Sequence, residues 1–463
     1  MAGRKRYSVI RDPVHGDVYL THEEMRILDT PQMQRLRGVK QLGTAYLVFP
    51  GAVHTRFDHS IGSLHMAQRM IEAVNLSFEL DPAGCVAVGE EEARVVRIAA
   101  LVHDVTHVPF GHSIEDQDGI FGRHDLPHRF QRLFGSNTEL GKVLRELGVV
   151  DDVLGILEAA EKPTRIPPYW RQIVGGTIAS DILDYLARDA YFTGLKLSVD
   201  PRVTSYFRVD RATQNLYIDC AKHELLREDI VSEIVRMLEA RYYFSERVYY
   251  HHAKVAAGAL IARAVETALS AGVVKEEDFQ DQTDASVLDL LVRRTEAPAR
   301  GKVDPRVRDR VKNLVTRFQQ RQLPKRACVF PRYENEAVQE SLVARYFAPG
   351  GAKARSEAEA RIGDLVRFAT GKSIEIIVYC PAKSMQLKEA RMHVRWPGVR
   401  DVQPLSTFSQ RIPRLADLER SYRDLWKFYV FADTNDPLLL AKVVEIASQE
   451  FGAAVNVYNA SAR

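Results

Sequence analysis

The run LVHDVTHVPFGH, Leu101–His112, constrains this chain more than any other stretch of it. It closes an apolar helical segment, Val95–Val102, and places His103, Asp104, His107 and His112 at and beyond its end. A single buried histidine is usually a satisfied core residue. Four imidazole or carboxylate groups so close together need a further reason. Both group types are good ligands for a borderline divalent cation, and neighbours at a helix end converge on one ion when the turn loosens.

Two other segments carry comparable chemistry. In RFDHSIG, His59 opens an apolar helix, a weak signal by its local context. In ASDILDYLARDAYFTG, Asp181, Tyr185 and Asp189 stand at i, i+4 and i+8 and share one helix face. Two carboxylates and a phenol on one stripe suit a site that holds a cation and a polar substrate. The alternative is a surface helix with ordinary charged decoration.

A chain of 463 residues can bury one large core with one or two satellites and needs no crosslinks. Cys85, Cys220, Cys328 and Cys380 lie far apart without a CxxC pair, which predicts a reducing, cytoplasmic setting. The opening MAGRKRYSVIRD has no apolar stretch of signal-peptide length, and no run approaches the roughly 20 apolar residues of a membrane span. The net charge of +3, from 64 basic and 61 acidic groups, gives no global field for nucleic acid, so any anion site is local.

Tyr7–Thr21 reads as a hairpin, and Glu23–Gln41 as helical with Pro31 starting a fresh turn. Helical patterns also cover roughly Ile61–Val74, Glu90–His103, Thr138–Leu147, Ile166–Tyr191 and His223–Leu269. Past Phe318, RACVF, SIEIIVYC, RMHVRW and WKFYVFAD read as strands, followed by a helix over Pro437–Phe451. The connecting stretch Lys302–Arg326 holds nine Lys or Arg residues, many at helical spacing, and its plain reading is a solvated helix face.

The ordered motifs DPVHG from Asp12, ILDTPQ from Ile27, QRLRGVKQLG, FPGAVHTRFDHSIG, LVHDVTHVPFGH, DILDYLARD and RVYYHH resemble the HD-domain phosphohydrolases. Within them the likeness is to the deoxynucleoside triphosphate triphosphohydrolases, over roughly Tyr7–Ala268 and more weakly to Arg326. The implied fold is mostly α, with an HD-domain helical core over 1–326 and a smaller C-terminal α+β region over 327–463.

The resemblance implies a metal quartet of His59, His103, Asp104 and Asp181. This set leans to manganese or iron, with nickel, cobalt or zinc behind them and magnesium accompanying the nucleotide. It also implies His112 as general acid with Glu115 as its orienter. His107 and His124 would line the phosphate pocket, His128 competing for the second place. Gln41 and Asp189 would read the sugar 3′-hydroxyl, and Tyr185 would pack under the deoxyribose. Arg56, Arg241, Arg247 and Tyr249 fall on phosphate and base contacts. Ile182 and Tyr250 stand where vertebrate members carry a phosphate-binding Lys and a base-proximal Gln, which keeps shorter phosphate chains open.

Asp29, Gln34 and Arg37 match readers of an activating guanine nucleotide between subunits of a homo-oligomer, a dimer or tetramer. Arg208, Arg321 and Lys325 roughly match its other contacts, while Ser8 replaces a Lys. The plain alternative has Asp29 and Arg37 pairing with each other. The expected activity is metal-dependent hydrolysis of a dNTP to deoxynucleoside and inorganic triphosphate. A nucleoside monophosphatase or a nuclease acting on nucleic acid would keep the same quartet. A non-catalytic nucleotide sensor would not need it.

Overall fold

The computed structural model describes residues 7–117, 120–158, 165–197, 200–297, 302–381 and 391–458. The expected hairpin forms from strands Tyr7–Asp12 and Gly16–Thr21. Asp12 closes its turn by accepting from the backbone N–H groups of Val14 and His15, both at 2.8 Å. A helix over His22–Leu28 follows behind a Thr21–Glu24 capping box, and Pro31 then opens the short helix Pro31–Arg35.

Three helices define the centre of the molecule. Arg56–Leu80 starts at a capping box in which Thr55 and Asp58 satisfy each other's backbone N–H groups. Glu90–Val102 places three glutamates at its N-terminus, complementing the helix dipole, and buries Val95, Val96 and every residue from Ile98 to Val102. Each large apolar side chain so buried contributes about 1.5–3 kcal/mol. Ser180–Thr193 ends at Gly194, whose φ of 71° is the left-handed conformation of a helix C-cap.

Two long helical patterns are interrupted. Ile166–Tyr191 divides into Pro168–Gly175 and Ser180–Thr193, because Gly176 turns extended; the break puts Asp181 in the first turn of a new helix. His223–Leu269 divides into Glu228–Phe244, a π turn over Ser245–Tyr249, and His252–Ser270.

Beyond the core, Lys427–Ala432 forms the centre of an antiparallel sheet between Lys325–Pro331 and Ile376–Tyr379. The strand-like run RMHVRW behaves differently. His393–Arg395 pairs in parallel with Leu216–Asp219, a strand that lies between the Ile166–Tyr191 and His223–Leu269 patterns and is too short to show a period of its own. One apolar cluster joins Val108, Phe110, Leu314, Val315 and Phe318 to Val329, Ile377, Tyr379 and Phe431, so packing is continuous across residue 326. The basic connection is the helix Pro305–Gln319, which buries Val311, Leu314, Val315 and Phe318 and exposes Arg306, Arg308 and Lys312. Among the described residues no helix is long and apolar enough to cross a membrane.

The Arg56–Leu80 and Ser180–Thr193 helices touch at Gly62. A Cβ there would fall inside the van der Waals radii of Asp184 Oδ1 and Arg188 Nη2. Glycine in a helix interior costs about 1 kcal/mol relative to alanine, and here it permits the close approach. Gly62→Ala is therefore expected to destabilise the fold by at least about 3 kcal/mol in urea unfolding, through overpacking against a buried ion pair. Unchanged stability would show that the two helices can separate freely.

Candidate metal centre and active site

The three central helices bring four side chains to one point. His59 Nε2 lies 3.0 Å from Asp181 Oδ1 and 3.7 Å from Asp104 Oδ2. His103 Nε2 lies 3.6 Å from Asp104 Oδ1 and 3.7 Å from Asp181 Oδ1. The other imidazole nitrogens are already committed. His59 Nδ1 donates to Asp184 Oδ2 at 2.7 Å, and His103 Nδ1 donates to the Ala100 carbonyl at 2.8 Å. Both rings thus turn Nε2 inward, and that of His103 is buried without a hydrogen bond, the arrangement of a metal-ligating histidine.

The electrostatics favour a cation at this point. Burial opposes a charge on His59, yet hydrogen bonds to Asp181 and Asp184 push its pKa up to about 10. Asp104 is buried too, but Arg56 and the histidines around it hold its carboxyl well below the usual range. The ligand atoms of His59, His103 and Asp104 all lie within 4.8 Å of one another, and Asp181 lies against both imidazoles, a donor set that fits a divalent transition metal.

The segment after His103 is held from outside. Arg35 donates to the carbonyls of Val105 and His107 at 2.9 and 2.8 Å, and Asp284 accepts from the Phe110 N–H at 2.9 Å. These clamps maintain φ of 60° at Phe110, an uncommon conformation for a bulky residue, and 41° at Gly111. The result is a row of imidazoles beside the quartet. His107 Nε2 lies 3.3 Å from Asp104, its ring stacks on His124 at 3.6 Å between centroids, and His112 stands edge-on to both.

The row is electrostatically divided. Burial and the Arg56 guanidinium pull His107 down to about 4, leaving it neutral. Loss of solvent opposes a charge on His112, whose side chain keeps half its surface, but Asp116 Oδ1, 3.4 Å from its Nδ1, raises it above its ordinary value. Neighbouring groups driven apart in this way can take separate acid and base roles. The expected orienter, Glu115, is engaged elsewhere: its carboxylate lies 2.9 Å from His107, 3.2 Å from His124 and 3.3 Å from Arg129. The closer carboxylate to His112 is Asp116, 3.4 Å from its Nδ1, since Glu115 is drawn to His107, His124 and Arg129.

Comparison with known proteins agrees with this geometry. Residues 56–189 match the model of the HD domain, and residues 219–451 match that of the HD associated region. This chain is an HD-domain protein. It is 30% identical over 313 residues to the uncharacterised protein MJ1154 of Methanocaldococcus jannaschii, covering 66% of this chain and 59% of that one. It is 30% identical to the deoxynucleoside triphosphate triphosphohydrolase SAMHD1 of Bos taurus over 304 residues, 59% of this chain and 48% of that protein. For SAMHD1 of Homo sapiens the figures are 30% over 306 residues, with 60% and 46% covered. The chain thus spans about half the length of the curated relatives it matches. A crystal structure of a hypothetical protein from Aquifex aeolicus shares the fold, with a TM-score of 0.65 at 23% identity over 95% of this chain and all of that one.

In this HD-domain protein the other expected site residues distribute unevenly. Asp189 joins Tyr249, which donates to it at 2.7 Å, and His54, which donates at 2.8 Å. Gln41 is adjacent through its N–H, which donates to the His54 carbonyl at 3.0 Å, and its buried Oε1 has no partner. Burial raises the Tyr185 hydroxyl, and Arg241 faces it. Arg56, expected on phosphate, donates to Asp104 at 2.5 Å. Arg247 is half-exposed and lies over the Tyr243 ring, 4.4 Å from its centroid.

Of the expected regulatory residues, Arg37 donates to Gln34 Oε1 at 2.9 Å and stacks 3.6 Å over Phe57. Among the described residues it makes no ion pair with Asp29, which corrects the plain alternative. Arg208 pairs with Asp219 at 3.5 Å, Arg321 donates to the Leu47 carbonyl at 2.9 Å, and Lys325 is exposed at the start of its strand.

Several contributors were not picked out from sequence. Asp184 is fully buried, binds His59, His15 and Arg188 together, and stands in the DILD motif three residues after Asp181. His15 was visible only as part of DPVHG. Tyr422, from the helix Pro413–Asp424, accepts from Ser245 Oγ at 3.3 Å and faces Tyr185 and Arg241, without any local signal. Asp184→Asn removes a charge behind a ligand without touching the ion, so metal affinity is expected to fall roughly 10–100-fold. Competition titration against a chelator measures this, and wild-type affinity would deny Asp184 that supporting role.

Proposed function

We propose that this chain is a metal-dependent phosphohydrolase that converts a deoxynucleoside triphosphate and water to deoxynucleoside and inorganic triphosphate. The observation that carries the reading is the convergence of His59, His103, Asp104 and Asp181 beside His112, whose pKa Asp116 raises, at one end of the Asp181–Tyr185–Asp189 stripe. A cation held by the quartet would supply Lewis acidity at a phosphoryl oxygen. The chain's own groups do the rest. Water attacks the α-phosphorus, the bond to the 5′-oxygen breaks, and His112 gives that oxygen its proton. A proton from the attacking water then restores His112. Tyr185 walls the sugar where a 2′-hydroxyl would extend, and the buried Oε1 of Gln41 and the buried Asp189 offer partners to a 3′-hydroxyl.

Manganese or iron loading, followed by chromatographic identification of both products from each nucleotide class, tests the reaction. Asp181→Asn should lower metal occupancy and cut turnover by more than about a hundredfold. Normal turnover with full metal would remove Asp181 from the ligand set. Products ending in orthophosphate or cleaved oligonucleotide would replace the triphosphohydrolase reading with a monophosphatase or a nuclease.

The same reading includes a homo-oligomer activated by a guanine nucleotide at Asp29, Gln34 and Arg37. The exposed Arg37–Gln34 contact supports it, because both groups are already oriented and neither is tied to Asp29. Ligand binding and assembly would then be thermodynamically linked. Guanine nucleotides should raise both the mass seen by light scattering and the hydrolysis rate in wild type, and do neither in Arg37→Ala. A wild type indifferent to every nucleotide would end the regulatory reading and leave the catalytic one intact.

A further inference from the structure

The two ends of the proposed substrate meet segments that are distant along the chain. His112 follows the turn at Phe110 and Gly111, while Gln41 follows Lys40 in a short extended stretch bridged to Thr55. One edge of that stretch faces the start of the Arg56–Leu80 helix. There Gln41 N–H donates to the His54 carbonyl at 3.0 Å, and Arg56 N–H donates to the Val39 carbonyl at 2.9 Å.

Asp284 joins the two segments. Its Oδ2 accepts from the Lys40 N–H at 3.0 Å, and its Oδ1 accepts from the Phe110 N–H at 2.9 Å. One carboxylate thus fixes the residue before Gln41 and the second residue before His112. An acid in the first turn of a helix ordinarily complements the dipole of that helix. Asp284 opens the helix Asp284–Glu296, but Thr283 caps it by accepting from the Ser286 N–H, and both Asp284 oxygens turn to other parts of the chain. Asp284 is 3% exposed, with Lys40 Nζ 3.8 Å away as its counter-charge. Burying a carboxylate is costly, and an acid on the surface would serve the helix without that cost.

The packing around Asp284 leaves little slack. A Cβ on Gly38 would overlap Thr283 Cγ2, and one on Gly43, whose φ is 54°, would lie 3.2 Å from the Phe110 carbonyl oxygen. Arg35 ties the preceding residues to the same turn, donating to the carbonyl of Gln282 at 3.1 Å as well as to those of Val105 and His107. The stretch that carries Gln41 and the turn that carries His112 are therefore fastened to each other through the start of one helix.

Resting on the reading of this site as one for a deoxynucleotide, we propose that Asp284 is a positioning residue. By holding Gln41 at a fixed distance from His112, it makes the grip on the sugar 3′-hydroxyl bring the 5′-oxygen within reach of the proton on His112.

The test compares a dNTP with its 2′,3′-dideoxy analogue, which lacks the hydroxyl that Gln41 would read. Wild type should favour the dNTP in kcat/KM by at least about a hundredfold, because the analogue leaves buried polar groups unpaired. Asp284→Asn keeps the shape but replaces one acceptor oxygen with a donor, which releases one of the two segments. Its preference should fall at least about tenfold, chiefly through kcat on the dNTP. Metal occupancy and affinity for inorganic tripolyphosphate should stay at the wild-type level. Asp284→Glu keeps both acceptors and the charge but lengthens the bridge by a methylene. It should lose preference in the same direction, and it carries the test if the Asn variant does not fold. Wild-type preference in a folded variant would overturn the proposal, as would an equal proportional loss on both substrates, which is what general loosening produces. A wild type that turns over both substrates alike would also overturn it and leave the reaction standing. A wild type that hydrolyses no dNTP would refute the reaction itself, and this proposal with it.

Discussion

A carboxylate with no exposed surface keeps its charge only if the molecule surrounds it with donors, since removing an ion from water costs several kcal/mol. Asp184 is such a group. His15, His59 and Arg188 supply its donors, and Asp12 takes a second contact from Arg188 at 2.9 Å. The N-terminal hairpin, the Arg56–Leu80 helix and the Ser180–Thr193 helix are thereby joined at one point. Because His59 spends Nδ1 there, its Nε2 must face Asp104 and Asp181, so the orientation of the centre follows from the same buried charge. Gly62 serves the arrangement by leaving space for it.

The second requirement is a backbone that turns sharply after His103 while setting His107 against Asp104 and His112 edge-on to His107. Local sequence does not stabilise that path, as the positive φ of Phe110 shows. Arg35 and Asp284 hold it by satisfying its carbonyl and amide groups from distant segments.

The C-terminal region contributes to this support. Tyr379 donates to the Ser113 carbonyl at 3.3 Å, and Gln117 donates to the Cys380 carbonyl at 2.8 Å, so the sheet braces the turn that carries His112. Arg263, Glu266, Arg355 and Glu359 form a buried charge network behind it, in which burial pushes Glu359 up to about 6 despite Arg263. Tyr422 faces Tyr185 and Arg241 from the same region.

Sequence alone determined the helical character of the core and the apolar helix ending at His103, which period and local spacing record because they depend on neighbours within a turn or two. The residues of the quartet came from the resemblance of the ordered motifs to a family. The strand Leu216–Asp219, the breaks at Gly176 and Tyr250, and the engagement of Glu115 away from His112 were decided only by tertiary structure. Each depends on a partner distant along the chain or on the rotation of a helix against another, which composition and period do not encode. Asp181 and Asp184 make the point most directly. They are the same residue type one helical turn apart, and only the docking of their helix on Gly62 turns one toward the cation site and the other toward the histidine behind it.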